Sequence, residues 1–220
     1  MELLIEYEKI KKEVESFNSK ILSESELKKQ IEKYYKGIQV MFSPITEKPK
    51  IMFIGINPGA GFFNENNRNV KRFSPLNKNE YSHGEYRLAQ QTRRLFELAE
   101  LTEQDLANSV KSNCFFFATK SEKELYQFLS HLKSKKVYTK SEKWINNLVS
   151  IIQPEIIICE GKSAFEQFIK GKKCEFEKEK EKEVLYTKWN NIDIIGYKRN
   201  FSNIIDIENV AKKLKQINEK

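Results

Sequence analysis

A chain of 220 residues with 39 Lys and Arg against 31 Asp and Glu, net +8, is long enough for one domain with a real core, and its basic excess favours a polyanionic partner such as nucleic acid. Three cysteines, Cys114, Cys159 and Cys174, are odd in number and widely spaced, which argues against a disulfide framework or a four-thiolate cluster. No apolar run approaches the roughly 18 residues of a membrane span, and the acidic amino terminus does not fit a signal peptide, so the expectation is a soluble intracellular protein.

Residues 1 to about 37 read as two helices, the second opened by a capping box of Ser23 and Glu26, with Leu27, Ile31, Tyr34 and Tyr35 at helical spacing. This N-terminal helical segment, 1–47, is expected to pack on a core of residues 48–218. Gln39 to Phe42 is a short strand or approach segment, and Pro44 and Pro49 punctuate the way to an apolar strand over 51–56. There a polar residue arrives at the strand's carboxyl end: Asn57, then Pro58, which fixes φ, and Gly59, which permits positive φ. That stiff turn holds one carboxamide where α/β sheets place their ligand crevice.

Residues 60–83 form an irregular stretch mixing Phe62, Phe63 and Phe73 with Arg68, Lys71 and Arg72, the combination that stacks bases and neutralises phosphates. Glu85 to Leu101 has helical apolar spacing and carries Arg87, Arg93 and Arg94; Thr102 and Asp105 open a short helix after it. Asn113 to Phe117 reads as a buried aromatic strand. Helices are expected from Ser121, again with a capping box to Glu124, and from Ser141, the latter ended by Pro154. Glu155 to Cys159 is the third strand, with Gly161 turning into another helix.

Gly161-Lys162-Ser163 is not a phosphate loop, because the Gly required five positions earlier is Ile156. Residues 171–183, with five Lys and five Glu, read as an exposed near-neutral loop or frayed helix. Val184 to Trp189 and Ile192 to Gly196 look like a hairpin around Asn190-Asn191, and Asp206 begins a closing helix with Ile207, Val210, Leu214 and Ile217 inward. Alternating strands and helices predict an α/β fold with a mainly parallel sheet covered on both sides.

On these residues the chain resembles the uracil-DNA glycosylase superfamily, in its branch with Asn in the first motif, which includes mismatch-specific and single-strand-selective glycosylases. Gly55-Ile56-Asn57-Pro58-Gly59 is similar to that branch's first motif, Asn113 is placed like its base-reading Asn, and Pro154 to Ala164 is similar to its third strand and following helix. The resemblance implies a three-layer α/β/α sandwich that flips a uracil-like or otherwise modified base from DNA and hydrolyses its N-glycosidic bond, as a monomer without metal or cofactor. Asn57 would orient the water, Gly55, Ile56 and Asn113 would hold the base, and Phe73, with Phe63 or Phe62 behind it, would stack on the ring. In the second motif the chain departs from its relatives: Tyr197-Lys198-Arg199-Asn200-Phe201-Ser202 contains no His. Tyr197 would donate a hydrogen bond instead, Lys198 and Arg199 would meet phosphates, Phe201 would wedge into the stack, and Ser202 closes the segment. Of the two histidines, His131 reads as structural and His83 as a stand-in. The alternatives are a superfamily member that binds nucleic acid or a nucleobase with little or no turnover, and an unrelated α/β enzyme acting on a nucleotide-like molecule.

Overall fold

Five strands flanked by helices form the centre of the computed structural model, which describes residues 2–59, 70–174 and 184–219. In chain order the elements are α1 (Glu2–Ser23), α2 (Ser25–Ile31), β1 (Gly37–Gln39), β2 (Ile51–Gly55), β3 (Val70–Arg72), α3 (Glu80–His83), α4 (Arg87–Leu98) and α5 (Glu103–Ala107). There follow β4 (Val110–Asn113), β5 (Phe117–Ala118), α6 (Glu122–His131), α7 (Val137–Ile152), β6 (Ile156–Cys159) and α8 (Lys162–Ile169). The chain closes with β7 (Val184–Trp189), β8 (Ile192–Tyr197), β9 (Arg199–Asn200), β10 (Asn203–Ile204) and α9 (Ile207–Asn218).

The central sheet has the order β4-β2-β6-β8-β7; every pairing is parallel except β7 with β8 at the edge. That one antiparallel pair is the expected hairpin, and both Asn190 and Asn191 at its turn have positive φ, as a two-residue turn matched to strand twist requires. Successive side chains point to opposite faces. Met52, Ile54, Ile157, Cys159 and Ile194 enter a core completed by α1, α6, α7 and α8 through Phe17, Phe128, Trp144 and Phe165. Ile51, Phe53, Ile156, Ile158 and Ile195 enter a second core completed by α4 and α9 through Phe96, Val210 and Leu214. Burial on both faces explains why β2 and β6 are unbroken apolar runs.

The chain passes from β2 outward to β4 and then returns across β2 to β6 on its other side. The connections leaving the adjacent strands β2 and β6 therefore run in opposite directions, toward β4 and toward β8, and the divergence opens a crevice at their carboxyl ends.

Several local expectations are corrected. The predicted strand 113–117 lies instead at Val110–Asn113, so Asn113 ends a strand rather than opening one. Its Lys and Ser disguise it as a loop; both are buried because Ser112 Oγ donates to Val40 O and Lys111 lies among carboxylates. Ser23 does not cap the second helix: its hydroxyl donates to Lys20 O, and the helix starts after Glu24 without a side-chain cap. The strand near 39–42 is Gly37–Gln39, paired with β3 and β5 in a separate small sheet. The helix predicted from Ser141 begins at Val137, and Ser141 is buried within it. Part of the irregular 60–83 stretch is ordered as β3 and α3. Phe62, Phe63 and Arg68, like the charged stretch from 175 to 183, lie outside the described residues. Among the described residues no helix is long and apolar enough to cross a membrane.

Candidate functional site

Asn57 lies two residues past the end of β2, and its Nδ2 donates to Pro58 O at 3.0 Å, Phe117 O at 3.1 Å and Thr119 Oγ1 at 3.1 Å. The turn is clamped a second time where Gly59 pairs with Thr119 as a parallel bridge. The donor end of the amide is thus engaged by protein, and its acceptor end is what it offers to a ligand.

Asn113 stands beside Gly55 in the ladder, and the pairing continues past both strands through Cys114 N to Gly55 O and Phe115 N to Ile56 O. Its side chain is 3% exposed, and its Nδ2 has no hydrogen-bond partner among the described residues. A buried amide nitrogen left unpaired costs about 1–3 kcal/mol, which a ligand acceptor would recover.

Glu160 arrives from the third strand end, its backbone N–H donating to Ile54 O at 2.9 Å. Its carboxylate accepts from the Tyr81 hydroxyl and pairs with Lys111 Nζ at 3.3 Å. Lys111 also pairs with Glu80 at 2.9 Å, donates to the Tyr81 hydroxyl, and lies 3.8 Å from the Tyr81 ring centroid. Two carboxylates around one ammonium leave this buried cluster with excess negative charge. Neighbouring phenols register it: burial first, and then the nearby carboxylates, hold Tyr81 and Tyr86 above the ordinary tyrosine pKa, so both stay protonated donors.

Asn57, Asn113, Glu80, Lys111 and Glu160 line a cleft of about 570 Å³ with Gly55, Ile56, Pro58, Tyr86, Phe42, Thr119, Arg199 and Ser202, a size typical of small-molecule sites. A recess of about 320 Å³ shares Ile56, Glu122, Glu160 and Arg199 with it and adds Lys162, Ser163, Lys198 and Phe201. Arg199 lies over Gly161, within van der Waals reach of any Cβ placed there. The β9–β10 hairpin carries Phe201 at its tip, 93% exposed and with φ of +53°, and is tied to α4 by Arg87 Nε donating to Asn203 Oδ1 at 2.6 Å. A groove of about 880 Å³ along α4 and α5 shares no described lining residue with the cleft; one of its arginines, Arg93, donates to the Tyr81 and Gly84 carbonyls.

Of the residues singled out from sequence, Gly55, Ile56, Asn57, Asn113, Arg199 and Ser202 meet at the cleft, and Lys198 and Phe201 at the adjoining recess. Two are elsewhere. Phe73 is half-buried against the core beside α1, its carbonyl accepting from the Tyr7 hydroxyl, and it does not line the cleft. The described cleft rings are instead Phe42 and Tyr86. Tyr197 is 1% exposed inside the second core, so its phenol cannot meet DNA; burial and the Glu160 charge raise its pKa. Neither histidine lines the cleft: His131 stacks on Tyr34, and His83 is exposed on α3.

Sequence reasoning missed Lys111, Glu80 and Glu160. The available signal was a charged residue abutting Ile156-Ile157-Ile158-Cys159 and a lysine next to Val110, each expensive to bury without a partner. Among the described residues no group of three or more His, Cys, Asp or Glu is placed to hold a metal ion.

Fold and cleft together define an α/β protein with a polar crevice at the carboxyl ends of three adjacent parallel strands. No family model matches the chain, and no curated protein matches it.

Proposed function

We propose that this protein is a DNA glycosylase of uracil-DNA glycosylase type, built as a three-layer α/β/α sandwich, which draws a modified base out of DNA and hydrolyses its N-glycosidic bond. The observation that carries this reading is the convergence of two carboxamides, from Asn57 and Asn113, on one cleft at adjacent strand ends. Asn113 meets the pairing edge of the flipped base, where its unpaired Nδ2 finds an acceptor. Asn57 orients water through its amide oxygen. The C1′–N bond breaks with its electron pair on the base, the water oxygen bonds to C1′, and the released proton ends on the base. An amide is a poor base, so the rate comes from orientation and from the negative Glu80–Lys111–Glu160 cluster, whose field favours an oxocarbenium-like sugar.

The basic chain favours a nucleic-acid partner, and Lys162, Lys198 and Arg199 around the recess suit a phosphate backbone. The exposed Phe201 suits a wedge that fills the vacated stack. One observation favours a second reading, binding without turnover: no imidazole lines the cleft to stabilise the departing base.

The test is incubation with single- and double-stranded oligonucleotides carrying modified bases, followed by alkaline cleavage of abasic sites. Scission that disappears in Asn57→Ala supports base excision; salt-dependent binding without scission supports the second reading, and neither scission nor binding overturns both.

A further inference from the structure

The cleft floor holds more acceptors than a uracil-like edge can satisfy. Gly55 has no side chain, and two groups fold over it from the neighbouring strand ends: Asn113 Oδ1, inside 3.0 Å of where a Cβ would stand, and Glu160 Oε2, 3.1 Å from the same point. Both side chains are 3% exposed, and both line the cleft. Lys111 and Tyr81 hold the Glu160 carboxylate in place from the protein side. A carboxylate only accepts hydrogen bonds, so Glu160 adds an acceptor beside Asn113, whose amide carries the acceptor Oδ1 and the buried, unpaired donor Nδ2.

A uracil-type pairing edge brings one N–H between two carbonyl oxygens. It satisfies one of the two acceptors and sets a carbonyl lone pair against the other. A base with an exocyclic amine brings two N–H donors on one nitrogen and a ring acceptor beside it, and acidic side chains accept from such an amine on cytosine. Glu160 Oε2 keeps lone pairs beyond the one engaged by Lys111, and setting a base carbonyl against that buried carboxylate oxygen is the kind of mismatch that sites built for hydrogen bonding reject strongly.

We propose that the cleft selects amino-bearing bases, of cytosine or adenine type, over their deaminated counterparts, with Glu160 and Asn113 as the specificity-determining pair. The inference rests on the base-binding reading of the cleft given above and narrows its substrate class.

The test separates recognition from chemistry. Oligonucleotides carrying one 2′-fluoroarabino nucleotide, which resists glycosidic hydrolysis, are compared by fluorescence anisotropy in matched pairs: each 5-substituted cytosine against the uracil with the same substituent, and adenine against hypoxanthine. The amino member is expected to bind about tenfold tighter or more in wild-type protein. In Glu160→Gln, where one acceptor becomes an amide, the ratio is expected to fall to within about threefold. Equal or reversed affinities in the wild type overturn the proposal, whether or not the variant folds. Release of bases from ordinary deoxyribose versions is read separately. Preferential release of the deaminated base overturns this proposal and leaves glycosylase activity standing. An amino preference in binding with no release from any substrate upholds the proposal and overturns base excision.

Discussion

Asn113 sits directly across the ladder from Gly55, and its carboxamide oxygen occupies the space a side chain on Gly55 would need. The missing Cβ is therefore what lets a polar side chain from one strand lie over the end of the next. Gly55→Ala should push Asn113 off the floor. The expected result is a loss of about 1–3 kcal/mol in urea unfolding, typical of overpacking, and at least about tenfold weaker DNA binding. Wild-type affinity in a folded Gly55→Ala protein would remove Asn113 from base recognition.

Asn57 is held by bonds to the segment after Phe117, so its loss should affect chemistry more than folding. Asn57→Ala should lower single-turnover base release by about 10²–10³-fold, the scale of a lost transition-state hydrogen bond. Its stability should fall by only about 1–2 kcal/mol, since the bonds lost are neutral ones. A variant that cleaves at the wild-type rate would take Asn57 out of the mechanism.

Lys111 is the cation between the buried Glu80 and Glu160. Lys111→Met strands both carboxylates and should cost about 3–5 kcal/mol, as removing one partner of a buried pair does. Adding Glu160→Gln removes part of the uncompensated charge and should restore part of the loss, which a double-mutant cycle measures. Additive single effects would show that the contact has no energetic coupling.

Phe201 carries positive φ and almost no packing, so its presence costs the backbone and contributes little to the core. Phe201→Gly should leave stability unchanged or raise it by less than about 1 kcal/mol, because glycine adopts that conformation freely. Base flipping, followed by 2-aminopurine fluorescence opposite or beside the target, should weaken by about tenfold on loss of an aromatic stack. Unchanged flipping would reduce the ring to a surface residue.

Asp105 caps α5 by accepting from the Thr102 N–H and hydroxyl and pairs with Lys50 at 3.2 Å. Burial opposes its ionisation, but these bonds outweigh it, and its pKa lies below the usual carboxylate value. A lowered folded pKa means the cap's stabilisation is fully present above the unfolded value and is lost as pH falls through the folded one. Asp105→Asn should therefore cost about 1 kcal/mol near neutral pH, the scale of a lost cap, with the deficit shrinking below about pH 4. A deficit independent of pH would assign the effect to packing.

Much of this architecture was legible in the chain itself. The apolar runs at 51–56 and 156–159, the Asn190-Asn191 turn and the helix start at Thr102 and Asp105 are local patterns whose physics acts over a few residues, and the structure agrees with each. Asn57 was found the same way, since a strand end followed by Pro58 and Gly59 is a local signal. Failures came where burial was decided at a distance. Val110–Asn113 reads as polar, and only Glu80, Glu160 and the Val40 carbonyl make its lysine and serine tolerable inside the protein. Phe73 was assigned by its distance along the chain from Asn57 and Tyr197 by its place in the second motif, whereas packing beside α1 and in the second core decided where their rings lie.

The sequence alone determined the class of the fold and, from local pattern, the Gly55–Asn57 strand end at the cleft, because hydrophobic periodicity and turn chemistry are properties of neighbours. The tertiary structure alone decided that Asn57, Asn113, Lys111 and Glu160 share one cavity. Their meeting depends on the order in which strands lie side by side, and no stretch of chain displays that order until the sheet has formed.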